Sequence, residues 1–164
     1  MSQSQADLQI FVTTALNSWN QWLSRADKAF SSLSDEGMLT EIAPGKNRIA
    51  YIYGHLIAVN DSMLPQLGLG TSAFPHLRSL FVEQPDRAAE LPAIPELRSA
   101  WTATNEALHR NFAQLTPEQW LEPHTTVSAE DFVREPYRNR LAILLSRTAH
   151  LSYHLGQIVP VIKH

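Results

Sequence analysis

The stretch that decides the fold is LAILLSRTAHLSYHLGQIV, residues 141–159. Its apolar residues recur mostly at spacings of three, four and seven, which is typical of an amphipathic helix that buries one face. The stretch also contains His150 and His154, and side chains four residues apart lie one above the other on a helix. Both imidazoles can therefore turn toward one point. The apolar stripe, which continues just past the stretch, consists of Leu141, Leu144, Leu151, Leu155, Ile158 and Ile162.

A third histidine lies on a separate predicted helix. His55 is part of Tyr51-Ile-Tyr-Gly-His-Leu-Ile, where it flanks an apolar stripe at the edge of the predicted core. If the two helices face each other, three neutral imidazoles could converge on one ion. Three histidine ligands leave one coordination position free, which is the arrangement of a catalytic zinc-type site rather than a structural one.

Two further side chains are candidates to support this site. With Leu151 taken as the inward direction, His154, His150 and Gln157 lie at about 60°, 100° and 120° to one side of the last helix. Gln157 is thus placed to hydrogen-bond a ligand ring or a bound water. Tyr51, one turn before His55, is the second candidate.

Three other long helices are predicted from the same periodicity. The first begins at Ser4, with Asp7 three residues later in the style of a capping box, and the second begins at about Asn47. The third begins at Pro95, and a short extra helix follows the cap residue Thr116. Residues 122–136 are predicted to be irregular, and the fourth long helix to run from about Tyr137 to Val159, where Pro160 ends or kinks it. The apolar stripes are Leu8, Val12, Ala15, Trp19, Trp22, Ala26, Ala29 and Leu33; Ile49, Ile52, Leu56, Val59 and Met63; and Leu97, Trp101, Thr104, Leu108, Phe112 and Leu115.

A long connection separates the second helix from the third. Residues 68–95 contain four prolines and only a short apolar patch, which suits a crossover with one or two helical turns. The sequence therefore predicts an all-α four-helix bundle that is not simply up-down-up-down, in one domain covering residues 1–164.

Composition limits the classes of function. The chain has 164 residues, 44% hydrophobic and 18% charged, which is typical of a globular domain. The net charge of −3 and the lack of a basic cluster argue against a nucleic-acid partner, because phosphate binding needs a concentrated basic patch. The chain has no cysteine, so disulfides, Cys-type zinc sites and thiol nucleophiles are excluded.

No apolar run approaches the roughly 20 residues that span a bilayer, and the N-terminus does not resemble a signal peptide. We expect a cytoplasmic protein with no membrane partner.

Other interpretations of the histidines remain open at this point. A histidine beside an apolar stripe is often a hydrogen-bonded core residue, and His76, His109, His124 and His164 are predicted to be surface or loop residues. Glu106 and His109 match the Glu-x-x-His unit of di-iron bundles, but no other histidine has Glu three residues before it. A haem held by two histidines would leave the third unexplained.

These residues resemble a known family. Gly54-His55-Leu56, then Val59-Asn60-Asp61, and His150-x-x-x-His154-x-Gly156-Gln157-Ile158 are similar to the DinB-like superfamily of damage-inducible and thiol-transferase-type bundles. The resemblance implies an up-down-down-up bundle that holds a divalent metal, commonly nickel or zinc, at His55, His150 and His154. Characterised members are metal-dependent transferases or isomerases that use a small thiol such as mycothiol, bacillithiol or glutathione, and dimers are frequent.

Three functions follow as hypotheses. In the first, an enzyme uses the metal to deprotonate a water or a thiol for hydrolysis or transfer, and the thiol comes from a cosubstrate because the chain has no cysteine. In the second, the protein binds a metal or ligand without turnover, for example in a stress response. In the third, the bundle has only a structural role. If histidines are the ligands, metal affinity should fall on acidification through their ordinary pKa of about 6.5.

Overall fold

The computed structural model describes residues 2–162, and the regular structure of this part is helical. Four long helices are joined by five short ones, so the predicted all-α class is confirmed. A 3-10 turn, Val159–Val161, follows the last long helix. The helices in the described part of the chain are α1 (Gln3–Ser31), α2 (Asp35–Met38), α3 (Ile49–Asp61), α4 (Met63–Gln66), α5 (His76–Phe81), α6 (Ile94–Phe112), α7 (Pro117–Trp120), α8 (Ala129–Arg134) and α9 (Arg140–Ile158).

The first and third long helices, α1 and α6, run in opposite directions. The rings of Trp19 and Phe112 meet with centroids 6.4 Å apart. Eight residues further along α1, Asp27 accepts a hydrogen bond of 2.7 Å from the indole N–H of Trp101. Residue numbers thus rise along α1 as they fall along α6.

The second long helix, α3, runs in the same direction as α6. The rings of Tyr53 and Trp101 lie 5.2 Å apart, and the Asn60 amide donates to Asn105 Oδ1 at 3.3 Å. Residue numbers therefore rise in the same direction along α3 and α6. Parallel neighbours need a long connection, which residues 62–93 supply; we call this segment the crossover.

The last long helix, α9, begins at the end of the bundle where α6 stops. Arg140 in its first turn donates to the carbonyl of Gln119, and the neighbouring Trp120 packs its ring on Phe112 at 5.1 Å. His150, in the middle of α9, lies 3.1 Å from His55 in the middle of α3. The helix α9 therefore runs with α1 and against α3 and α6, which gives the up-down-down-up order.

The buried carboxylate of Asp61, at the end of α3, binds the backbone of the crossover. Asp61 is 1% exposed, and its two oxygens accept backbone N–H bonds of 2.9 Å from Ala73 and Phe74. These bonds satisfy a charge that would otherwise be costly to bury. The chain that follows Phe74 forms α5, which packs directly against α3.

The close approach of α5 to α3 depends on Gly54. A Cβ atom at this position would lie 2.3 Å from two ring atoms of Phe81, a fully buried side chain. Only glycine leaves room for that ring. The crossover is thus held against α3 at the level of residue 55.

The start of the first helix differs from the prediction. The capping box is formed by Ser2 and Gln5, not by Ser4 and Asp7, so α1 begins earlier. Along the predicted stripe, Trp22 is only half-buried and has the Arg25 guanidinium above its ring at 4.7 Å. The stripe residues Val12, Ala15, Trp19 and Ala26 are buried, as predicted.

The prediction of an irregular segment over residues 122–136 is wrong in part. Ala129–Arg134 forms α8, and the Ser128 hydroxyl caps it by accepting from the N–H of Asp131 at 3.0 Å. This helix buries none of its residues, so it has no apolar stripe from which it could be predicted.

Other helix ends move by a few residues. The second long helix begins at Ile49 and is interrupted at Ser62, so that Met63–Gln66 forms a separate turn. The fourth begins at Arg140 rather than Tyr137, and Pro160 lies in the 3-10 turn that ends it. No helix among residues 2–162 combines the length and the apolar character needed to cross a membrane.

Candidate metal centre

His55 is held in one orientation by the crossover. Its Nδ1 lies 2.9 Å from the backbone oxygen of Phe81, which can only accept a hydrogen bond. The Nδ1–H therefore donates, and in the neutral ring the lone pair is on Nε2. This bond exists because α5 packs against α3 where Gly54 gives it room.

His154 is oriented in the same way by a side chain of its own helix. Its Nδ1 lies 2.8 Å from Gln157 Oε1, and the amide group of Gln157 donates to the hydroxyl of Tyr153 at 3.2 Å. With the amide oxygen toward the ring, Nδ1–H donates and Nε2 again has the lone pair. Gln157 thus contacts the ring of one candidate ligand, and its role at a metal site stays a prediction.

The three histidines converge through their Nε2 atoms. His150 Nε2 lies 3.1 Å from that of His55 and 3.1 Å from that of His154, and one ligand atom from each residue lies within 4.8 Å of the others. Two nitrogens bound tetrahedrally to zinc at 2.0–2.1 Å would be about 3.3 Å apart. The Nδ1–H donors of His55 and His154 direct the two Nε2 lone pairs toward His150, an arrangement that suits a shared cation. The triad therefore fits a divalent ion.

Burial keeps the paired histidines unprotonated. It is the largest of the causes that together lower the pKa of His150 to about 4, followed by the charges of His154, His55 and Arg147. Burial also lowers the pKa of His154, although its bond to Gln157 acts in the opposite direction. A metal needs the neutral imidazole, so both rings are ready to bind at neutral pH without losing a proton.

All three candidate ligands are histidines, which bind a metal as the neutral imidazole, and each residue is partly exposed. A divalent ion held by neutral imidazoles keeps its full positive charge, whereas carboxylate ligands would reduce it.

A comparison with protein families agrees with this geometry. Residues 19–158 match the family described as the DinB superfamily, and they include all three histidines. The chain belongs to this superfamily. No curated protein matches the chain. The resemblance found in the two histidine motifs is thus confirmed at the level of the superfamily.

The second candidate supporting residue, Tyr51, is held by the crossover. Its hydroxyl donates to the carbonyl oxygen of Gln84, and its ring packs on Phe81 with centroids 5.7 Å apart. Burial, and then the charge of Asp86, raise the pKa of Tyr51. These contacts hold the crossover beside the site, and neither of them connects Tyr51 to an imidazole.

The remaining histidines are mostly where the sequence places them. His76 and His109 are exposed, and Glu106 beside His109 is exposed and pairs with Arg110 at 3.8 Å. His124 lies in a loop as predicted, but it is buried. Its Nδ1 accepts from the backbone N–H of Thr126 at 3.3 Å. His164 lies outside the described residues.

Two groups that act on the histidines were not predicted from the sequence. The carbonyl of Phe81 cannot be found from side-chain patterns, since any residue would offer the same atom. Arg147 could have been found, because the construction that places the two histidines puts it about 40° from Leu151 on the same flank. Its charge contributes to the lowered pKa of His150, after burial, His154 and His55.

We expect the loss of metal affinity on acidification to extend below the ordinary histidine range, down to about pH 4. A lowered pKa means that protons begin to compete for the ring only at lower pH, so His150 and His154 move the loss below the ordinary value of 6.5. Calorimetric titration of zinc at pH 4 to 8 measures this. A loss of affinity that is complete within the ordinary histidine range would contradict it.

Proposed function

We propose that this protein is a metal-dependent enzyme that activates a small thiol or a water molecule for transfer or hydrolysis. His55, His150 and His154 hold the metal, with nickel or zinc the best candidates for these imidazole ligands. The observation that carries the proposal is the convergence of three Nε2 atoms, two of them on rings held by Nδ1–H bonds. When bound, the metal supplies a positive charge that favours the deprotonated form of a water or thiol.

The residues of the chain perform the positioning. The carbonyl of Phe81 and the amide of Gln157 fix two imidazoles, so little reorganisation is needed when the metal binds. Partial exposure of the triad admits the cosubstrate. A thiol must come from such a cosubstrate, since the chain has no cysteine. We propose that residues 1–164 form a single domain that contains this site.

Two measurements test the proposal in sequence. The first is the metal content of protein purified without an affinity tag, because a polyhistidine tag would itself bind nickel or zinc. The second is thiol transfer to an electrophilic acceptor, with glutathione as the thiol, in protein loaded with zinc or nickel. Turnover that His150→Ala abolishes supports the enzyme. Stoichiometric metal without turnover of any thiol tested would favour a metal-binding protein instead, and protein that takes up no metal would contradict both.

We further propose a homodimer formed through α1 and α9. These neighbouring helices expose large apolar side chains, among them Ile10, Phe11, which is 70% exposed, and Leu145. A two-fold axis, the commonest oligomer symmetry, would let each copy cover the other's patch. Sedimentation should give twice the mass of the chain, and Phe11→Asp should give a monomer. Val133→Asp, at an apolar residue of α8 that is 82% exposed, should leave the dimer unchanged. A monomer mass at every concentration would reject the dimer.

A further inference from the structure

Arg147 lies beside the triad, and no group among residues 2–162 pairs with its charge. It is one turn before His150 and two turns before His154, within about 60° of both around the axis of α9. The residue is partly buried, and its Nε atom is fully buried without a hydrogen-bond partner among residues 2–162.

The other arginines show how unusual this is. Arg25, which has no ion pair among the described residues, is exposed and stacks on the ring of Trp22. In that same part of the chain Arg147 has neither an ion pair nor an aromatic ring beneath it. The eight remaining arginines each pair with an aspartate or glutamate: Arg48, Arg78, Arg87, Arg98, Arg110, Arg134, Arg138 and Arg140.

The helices around the site offer Arg147 no free carboxylate. The sequences of α9 and α5 contain no acidic residue, and the only one in α3 is Asp61. Both oxygens of Asp61 are already engaged by the backbone of the crossover. Arg147 thus lacks, among residues 2–162, the anion that an arginine normally finds when it is buried.

A bound anionic ligand would supply the negative charge that Arg147 lacks. Burial lowers the pKa of Arg147, which shows that its surroundings oppose the charge, but a guanidinium stays protonated in proteins. Retaining an unpaired cation there is unfavourable for folding. Its planar fork of N–H donors matches a carboxylate, which it can bind through two parallel hydrogen bonds.

We propose that Arg147 binds a carboxylate of the substrate or cosubstrate whose other end reaches the three histidines. This inference rests on the proposed function, because it takes the triad as the place where the reacting group binds. It makes Arg147 a specificity residue, and it defines the ligand as an acid rather than a neutral thiol or alcohol.

The test compares acids with alcohols of equal length on zinc-loaded protein. The probes are 3-mercaptopropionate against 3-mercaptopropanol and 4-mercaptobutyrate against 4-mercaptobutanol, with dissociation constants measured by calorimetry. The wild type should prefer the acids by roughly ten- to a hundredfold, the range for a charge-assisted hydrogen bond. Arg147→Met should lose most of that preference and bind the alcohols as before. Any affinity that comes from the carboxylate touching the zinc remains in the variant, so the difference between the proteins isolates Arg147.

Control variants separate this role from a structural one. Arg147→Met should melt at the same temperature as the wild type or higher, because it removes an unpaired buried charge, whereas a structural arginine would lower the melting temperature. Arg147→Lys, which keeps the charge without the fork, should retain part of the preference. Arg25→Met removes the other arginine without an ion pair and should change nothing.

The outcomes distinguish this inference from the proposed function. If Arg147→Met keeps the full preference for acids, or if the zinc-loaded wild type shows none, Arg147 does not bind the carboxylate, and the metal site stands. If the wild type binds neither zinc nor nickel, both the proposed function and the role of Arg147 are wrong.

Discussion

His150→Ala is expected to weaken zinc or nickel binding by more than about a hundredfold, and His55→Ala and His154→Ala should do the same. Losing a residue that only supports a ligand ring costs ten- to a hundredfold in metal affinity, so losing the ligand itself should cost more. The losses should be similar, because each variant leaves two of the three imidazoles that converge in the structure. Calorimetry of the metal-free proteins with zinc measures the effect.

A matched control is available on α6. His109 is exposed and remote in sequence from the triad, so His109→Ala should bind zinc as tightly as the wild type. Gln157→Leu offers an intermediate case, since it keeps all three ligands but removes the acceptor of the His154 Nδ1–H. Unchanged metal stoichiometry and affinity in any of the three histidine variants would remove that residue from the site.

The helix pattern of the sequence was sufficient to place the paired histidines. Residues four apart on a helix share a face whatever the tertiary structure, and the apolar stripe around Leu151 fixed which way that face turns. His55 was a weaker case, because nothing in the periodicity says that α3 and α9 face each other. The family resemblance supplied that pairing, and the 3.1 Å approach of His55 to His150 confirms that the two rings meet.

The features that the sequence did not predict depend on contacts between distant segments. The bond from His55 to the carbonyl of Phe81 joins residues 26 positions apart, and it requires the path of the crossover. That path depends on two bonds to Asp61, a residue that appeared only as part of a motif. Helix α8 was missed for a different reason, since an exposed helix lacks the apolar stripe on which prediction relies.

Gly54→Ala is expected to destabilise the protein by about 1–3 kcal/mol and to weaken metal binding as well. The added methyl group would lie 2.3 Å from the ring of Phe81, which is fully buried. Alanine favours helix over glycine by roughly 1 kcal/mol, but this gain is smaller than the cost of overpacking. Displacing Phe81 also moves the carbonyl that orients His55, so one substitution should affect both folding and the metal.

Gly156→Ala provides the matched comparison, because both glycines lie within long helices next to site residues. A Cβ at Gly156 would meet nothing within 4 Å, so only the helix preference remains and the variant should be more stable by about 0.5–1 kcal/mol. Urea unfolding of the metal-free proteins measures the free energies, and zinc calorimetry measures the affinities. If Gly54→Ala matched Gly156→Ala in stability, the packing of α5 on α3 would be loose enough to absorb a methyl group. The crossover could then not be what holds His55 toward the other two imidazoles.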